Sequence, residues 1–165
     1  MRYIIPFILF IFSSFSIKAQ SFNGIVNPTA TVSTLLSVTL SNNTGTASFT
    51  NMNAYVNGIT TNNFSTLAIK SNVLWLLSVS AQSTNFAAMG GGASSNMPAS
   101  VVSMRLSNTS TFYPLSTAGF TLKTGGRGNN LAAGNTFGID MRFNPGFSYP
   151  GGIYSLGLMY TLTNQ

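Results

Sequence analysis

The side chains that usually carry out catalysis are almost absent from this chain. It has no histidine and no cysteine, and Asp140 is its only acidic residue. A general acid–base pair, an activated nucleophile or a metal site needs several such groups in contact. Asp140 alone provides none of these arrangements, so the sequence predicts a protein that is not an enzyme and that holds no metal and no cofactor.

Two short motifs could in principle bind a ligand, but each has a simpler structural interpretation. The glycine-rich run 125–128 lacks the Gly-Lys-Ser/Thr ending of a phosphate-binding loop and opens no helix, which favours a hairpin loop. Asp140 and Arg142 lie two apart on one predicted strand face. We expect them to form a solvent-exposed pair that contributes little stability.

Aromatic residues are the other candidates for binding. Trp75 alternates with Leu77 and Val79, and this alternation predicts a core anchor and not a sugar-stacking platform. Three aromatic residues stand beside prolines in predicted loops, where they could bind carbohydrate or a partner strand: Tyr113, Phe147 and Tyr149.

The first twenty residues have the layout of a secretory signal peptide. Arg2 precedes an apolar run from Ile4 to Phe15, and small and polar residues follow it up to Gln20. The run is short for a bilayer about 30 Å thick, so a membrane anchor is the less favoured alternative. We predict cleavage after Ala19, which leaves a mature chain of residues 20–165 without a membrane span, secreted to the periplasm, the exterior or the cell surface.

The mature chain has the size of one domain and carries few charges. It holds five basic residues against one acidic residue, a net charge of +4. Lys123 and Arg127 are the closest pair of bases in the sequence, so no basic cluster is present and nucleic acid is not an expected partner. Ser, Thr, Asn and Gly must solvate the surface instead, a composition typical of extracellular assemblies.

Alternating apolar and hydroxyl residues predict strands along the whole mature chain. No segment of twelve residues carries a capped helical stripe, and turn residues separate the strands, which indicates a β-sandwich or a closed barrel. The longest alternating set lies in a predicted C-terminal strand from Ile153 to Thr163, on whose opposite face Thr161 is a possible assembly contact. The other predicted strands are centred on residues 36–41, 47–50, 67–69, 75–81, 102–106 and 137–143.

Parts of the chain resemble the spore coat protein U and archaic chaperone–usher pilin group. The resemblance is closest over the last seventeen residues, where Tyr149-Pro150-Gly151-Gly152-Ile153-Tyr154 introduces a strand that ends in Tyr160-Thr161-Leu162-Thr163. It extends more loosely over residues 55–59, 67–79 and 97–100.

This resemblance implies an immunoglobulin-like β-sandwich, for which the pilin members use a neighbour's N-terminal segment as the missing strand. The chain departs from the group in lacking cysteine and in its segment from Ser21 to Ala30. That segment contains Phe22, Ile25 and Val26 without strict alternation, and Pro28 interrupts it.

The residues and the resemblance together predict a secreted, non-catalytic structural or adhesive protein of the cell surface, of which a pilus-like subunit is one form. Its expected partners are copies of itself or other surface proteins. The alternative is a soluble extracellular module that binds carbohydrate or protein through its loop aromatics.

Overall fold

The computed structural model describes residues 29–41 and 45–165. The regular elements among these described residues lie within the compact unit formed by residues 33–165. In chain order they are β1 (Leu36–Ser41), α1 (Met52–Asn57), β2 (Ile59–Ser71), β3 (Trp75–Ala81), β4 (Ala87–Met89), a 3-10 turn (Ala99–Val101), β5 (Val102–Leu106), β6 (Tyr113–Pro114), β7 (Phe120–Gly125), β8 (Thr136–Phe143), β9 (Ile153–Ser155) and β10 (Leu158–Asn164).

The strands form antiparallel sheets, which confirms the predicted all-β class. One sheet has the order β1-β2-β8-β5-β6 and a second has the order β10-β3-β7. A two-stranded sheet joins β4 to β9. The two larger sheets contribute to one apolar core.

Every second side chain along much of β2 and β3 lies in that core. Leu67 and Ile69 of β2 are fully buried, and so are Trp75 and Leu77 of β3. Successive strand residues point to opposite faces, so the intervening side chains lie on the outer surface or only partly within the interior. β3 is the central strand of its sheet, as its apolar start on both faces predicts.

The helix α1 is a single short element between β1 and β2. The side chain of Asn51 caps its first turn by accepting a hydrogen bond of 2.9 Å from the N–H of Ala54. Gly58 ends it with φ = 72°, a conformation that favours glycine. A side chain there would also meet the carbonyl oxygen of Phe143, at 2.6 Å from an added Cβ.

The C-terminal segment is two strands and not the single predicted strand from Ile153 to Thr163. β9 pairs with β4, whereas β10 pairs with β3. The break occurs at Gly157, whose carbonyl accepts a hydrogen bond of 2.9 Å from the N–H of Gln82. The Gln82 side chain occupies the space that a Cβ at position 157 would need. Packing against Gln82 therefore interrupts a pattern that alternates without a gap in the sequence.

The segment 45–50 differs as well, because Ala47 and Phe49 lie in irregular chain and not in a strand. The predicted signal peptide lies outside the described residues. Within the part of the chain that the structure describes, no helix has both the length and the apolar character needed to cross a membrane.

Candidate functional site

β10 lies at an edge of its sheet, and its inward-facing side chains are incompletely covered. β3 pairs with one side of β10, and no described strand pairs with the other. Leu158, Tyr160 and Leu162 face the core but are only half-buried, whereas their direct partners on β3 are buried. No described strand covers these three side chains from the unpaired edge of β10.

β1 lies at an edge of the five-stranded sheet, and its inward-facing side chains are also incompletely covered. Val38 points inward but is 38 % exposed, while its partner Ile69 on β2 is 0 % exposed. Some Cα atoms of β1 and β10 lie within 8 Å of each other although the two strands belong to different sheets. The two incompletely covered strands thus lie on the same side of the core, and we call them together the open edge.

An apolar cleft of about 810 Å³ lies next to the open edge. Its walls include Leu158 of the open edge, Phe64 and Phe143, whose ring centroids are 6.2 Å apart. Phe49 of the irregular segment 45–50 also lines it. The cleft therefore joins the interior to β10 through largely aromatic and aliphatic surface.

Two hydroxyl-bearing residues, Ser65 of β2 and Tyr160 of β10, lie outside the lining of this cleft. The Oγ atom of Ser65 is buried and has no hydrogen-bond partner of good geometry among the described residues. Burial raises the pKa of the Tyr160 phenol, and the neighbouring Ser65 hydroxyl offsets part of that shift. An unsatisfied buried hydroxyl costs about 1–3 kcal/mol, so this pair needs a structural or functional reason.

A second polar cluster surrounds the chain's only acid, on the outer face of the five-stranded sheet. Asp140 is 3 % exposed, so the predicted solvent-exposed pair with Arg142 is wrong. Its Oδ2 accepts a hydrogen bond of 3.0 Å from Nε of Arg105, and its Oδ1 accepts bonds from Ser107 Oγ at 2.6 Å and the N–H of Asn63 at 3.0 Å. The neighbouring strands place these partners, which no spacing in the sequence indicates.

The cluster around Asp140 holds an irregularity of β2 in place. The register with β8 shifts between Thr61 and Ser65, and Asn63 within this stretch has φ = 49°, in the left-handed region. Burial raises the pKa of Asp140, but the hydrogen bonds from Ser107, Asn63 and Arg105 and the charge of Arg105 lower it more, so the net shift is downward. The carboxylate is fully engaged and has a structural role.

The three candidate loop aromatics do not form one site. Phe147 is 63 % exposed and stacks on Tyr55 with ring centroids 5.3 Å apart, and Tyr149 is half-buried and lines the cleft. Tyr113 lies in β6, at the edge opposite β1, with its ring 5.3 Å from that of Phe120. The structure thus places Tyr149 in the wall of the cleft and Phe147 against Tyr55, which also lines the cleft, and it separates Tyr113 from both.

The remaining two candidates lie on opposite faces of the three-stranded sheet. Thr161 is exposed on the outer face, paired with Ser78 of β3. Trp75 is fully buried, and its Nε1–H donates a hydrogen bond of 2.8 Å to the carbonyl of Gly126. Its indole fills the space where Gly125 would otherwise carry a side chain, which explains the glycine there.

Sequence reasoning missed Val38, Ser65 and Tyr160 as members of a possible site. Val38 belongs to an ordinary alternating strand, and only the edge position of that strand leaves it exposed. Ser65 offered one weak signal, a hydroxyl at an inward position of β2 that should hold an apolar residue. Comparison of the chain with protein-family models and with curated protein sequences finds no match.

Proposed function

We propose that this protein is a secreted, non-catalytic subunit of a cell-surface assembly, and that copies associate by adding a strand at the open edge. In this proposal the fold is an immunoglobulin-like sandwich that lacks one strand beside β10. The observation that carries it is the incomplete cover of β1 and β10, above all the exposure of the inward-facing Val38.

The backbone of the open edge favours a strand as the added element. An edge strand presents unpaired N–H and C=O groups, and monomeric proteins usually protect such edges with charged residues or proline. β1 reads Leu-Ser-Val-Thr-Leu-Ser and β10 reads Leu-Met-Tyr-Thr-Leu-Thr-Asn, so neither contains a charge or a proline. An added strand would pair with this backbone while its side chains cover the half-buried apolar groups.

A second copy of the chain is the partner that we propose. Its segment from Ser21 to Ala30 precedes β1 and carries Phe22, Ile25 and Val26, which are suitable for covering an apolar edge. The resemblance to the pilin group, in which a neighbour's N-terminal segment completes the fold, supports the same partner. The bases of the mature chain are few and dispersed, which keeps the charge repulsion between copies low.

A matched pair of β1 variants tests this function. Val38→Lys puts an ammonium group on the inward face of the open edge, where an added strand would bury it at a high desolvation cost. Thr39→Lys adds the same charge to the outer face of the same strand. We expect the mature wild-type protein and Thr39→Lys to form oligomers in size-exclusion chromatography and negative-stain images, and Val38→Lys to remain monomeric with a similar melting temperature.

Two results would contradict the proposal. If the wild-type protein stays monomeric at high concentration, the proposed self-association is wrong. Equal oligomerisation of Val38→Lys and Thr39→Lys would show that the copies meet at another surface.

A further inference from the structure

β1 presents its free backbone hydrogen-bonding groups on the same residues that face the core. Along an antiparallel pair, residues that bond to the partner strand alternate with residues whose N–H and C=O groups point away from it. The carbonyl of Leu35 accepts a hydrogen bond of 3.2 Å from the N–H of Asn72, in the same register as the pairs between β1 and β2. The odd-numbered residues of β1 therefore bond to β2. The even-numbered residues point their backbone groups to the open side: Leu36, Val38 and Leu40.

The sequence of β1 is self-complementary around its most exposed inward residue. A hydroxyl residue stands on either side of Val38, and a leucine follows in each direction: Ser37 and Thr39, then Leu36 and Leu40. If two copies of β1 pair antiparallel with Val38 opposite Val38, each leucine lies opposite a leucine. Each outer hydroxyl residue then lies opposite another hydroxyl residue, so like meets like on both faces.

A two-fold axis perpendicular to the sheet generates this pairing and keeps the inward faces of both copies on the same side. The Cβ atoms of directly opposite residues lie about 4.5–5.5 Å apart. The two Val38 side chains would therefore cover each other over the surface that is now 38 % exposed. The three inward pairs would exchange about six backbone hydrogen bonds, and the five-stranded sheets of the two copies would become one continuous sheet.

The lysine on the neighbouring strand does not oppose this pairing. Lys70 of β2 stands beside Ser37 and is exposed. Three strand spacings would separate the Lys70 side chains of the two copies, at least about 14 Å. This distance exceeds the Debye length of about 8 Å at physiological ionic strength, so their repulsion would be largely screened.

The other edge strands of the two large sheets are less suited to pairing with themselves. β6 contains Pro114 and β7 contains Lys123, residues that protect a sheet edge. β10 has no such protection, but its three inward residues are less exposed than Val38. Its outer residues on either side of Tyr160 also differ in character, since one is Met159 and the other is Thr161.

We propose that β1 is a self-association strand through which two copies pair antiparallel about a two-fold axis, with Val38 opposite Val38. This contact is additional to the strand that we place beside β10. It rests on the proposed self-association at the open edge and names a surface through which copies join in pairs.

The absence of cysteine from the chain allows a cross-linking test without background thiols. In the proposed register, Ser37 of one copy lies opposite Thr39 of the other on the exposed outer face, in a non-hydrogen-bonded pair where side chains are closest. Mature Ser37→Cys and Thr39→Cys are mixed under reducing conditions and transferred to a glutathione redox buffer. Intact mass spectrometry distinguishes the mixed disulfide from the two symmetric ones, because the variants differ in mass.

We expect the mixed disulfide to exceed by about tenfold the yield from a mixture of Ser37→Cys and Thr117→Cys, because pairing raises the effective concentration of the two thiols. Thr117 is exposed in the loop between β6 and β7, and β6 forms the sheet edge opposite β1, so this control reports random encounters. Symmetric disulfides should be scarce, since diagonal neighbours lie about 7–8 Å apart. Val38→Lys, added to both cysteine variants, should abolish the tenfold excess.

The outcomes separate this inference from the proposed function. If the wild-type protein forms oligomers but the mixed disulfide is no more abundant than in the Thr117→Cys control, assembly stands and the pairing of β1 is wrong. A symmetric Ser37→Cys disulfide as the main product would also contradict the proposed register, because it would require Ser37 opposite Ser37. If the wild-type protein is monomeric and the mixed disulfide stays at the control level, both proposals are wrong.

Discussion

Asp140 shows how much a single residue depends on its neighbours in the fold. As the only acid of the chain, it has no second carboxylate to pair with. Three hydrogen bonds and the charge of Arg105 stabilise its ionised form instead. The guanidinium of Arg105 in turn lies 4.4 Å from the ring centroid of Phe112. The cluster joins β2, β5 and β8 on the outer face of one sheet.

Acidification should therefore destabilise the protein through one side chain. The folded pKa of Asp140 lies below its ordinary value of 3.8. The ionised carboxylate contributes stability that is complete above the unfolded pKa and is lost as the pH falls through the lower folded pKa. We expect Asp140→Asn to lower the free energy of unfolding by about 1.5–3 kcal/mol at neutral pH, the value of hydrogen bonds to a charged group.

Urea unfolding at neutral pH and well below pH 3.8 checks this prediction. The difference between wild type and Asp140→Asn should shrink at the lower pH. Arg142→Gln is the control, since Arg142 stands two residues away in β8 but makes its own bond to the carbonyl of Asn57. A wild-type stability that does not change on acidification, or that changes equally in Asp140→Asn, would contradict the assigned role of the carboxylate.

At the scale of elements, β10 combines two properties that usually exclude each other. It adds three large inward side chains to the core, yet it forms an edge without the usual protection. The sequence predicts the inward and outward faces correctly from the alternation of residues 158–163. It does not predict the break at Gly157, because that break depends on contacts with Gln82.

A pair of aspartate substitutions distinguishes the two faces of β10. Leu158→Asp places a charge on a half-buried position between β10 and the cleft, and we expect it to lower the free energy of unfolding by about 1–3 kcal/mol. Thr161→Asp lies on the exposed outer face and should leave the stability of the monomer nearly unchanged. Thermal melts of the two variants provide the comparison, and a larger loss for Thr161→Asp would invert the assigned faces.

At the scale of the whole molecule, composition and architecture both favour association with other chains. The described surface is solvated mainly by hydroxyl and amide groups, and the described unit exposes scattered large apolar residues, among them Met52, Val56 and Phe147. An architecture of antiparallel sheets with an unprotected edge is suited to association with other chains. The proposed surface assembly requires export, which the N-terminal residues predict.

The predicted export determines which residue should begin the mature protein. Mature protein recovered from the periplasm or from the cell exterior should begin at Gln20, because cleavage is expected after Ala19. N-terminal sequencing or intact mass spectrometry measures this directly. An exported protein that retains Met1 would contradict cleavage, and a protein confined to the cytoplasm would also remove the proposed location of the assembly.

The sequence by itself determined the all-β class and the inward faces of the main strands, since the alternation of side chains follows from strand geometry alone. It also determined that the chain has no histidine, no cysteine and a single acid. Only the tertiary structure decided that Asp140 bonds to Arg105 and not to Arg142, that β9 and β10 belong to different sheets, and that Val38 and Tyr160 border an open edge. The physical reason is that these properties arise between residues far apart in the chain, where pairing and packing across sheets set the contacts and local pattern carries no information about them.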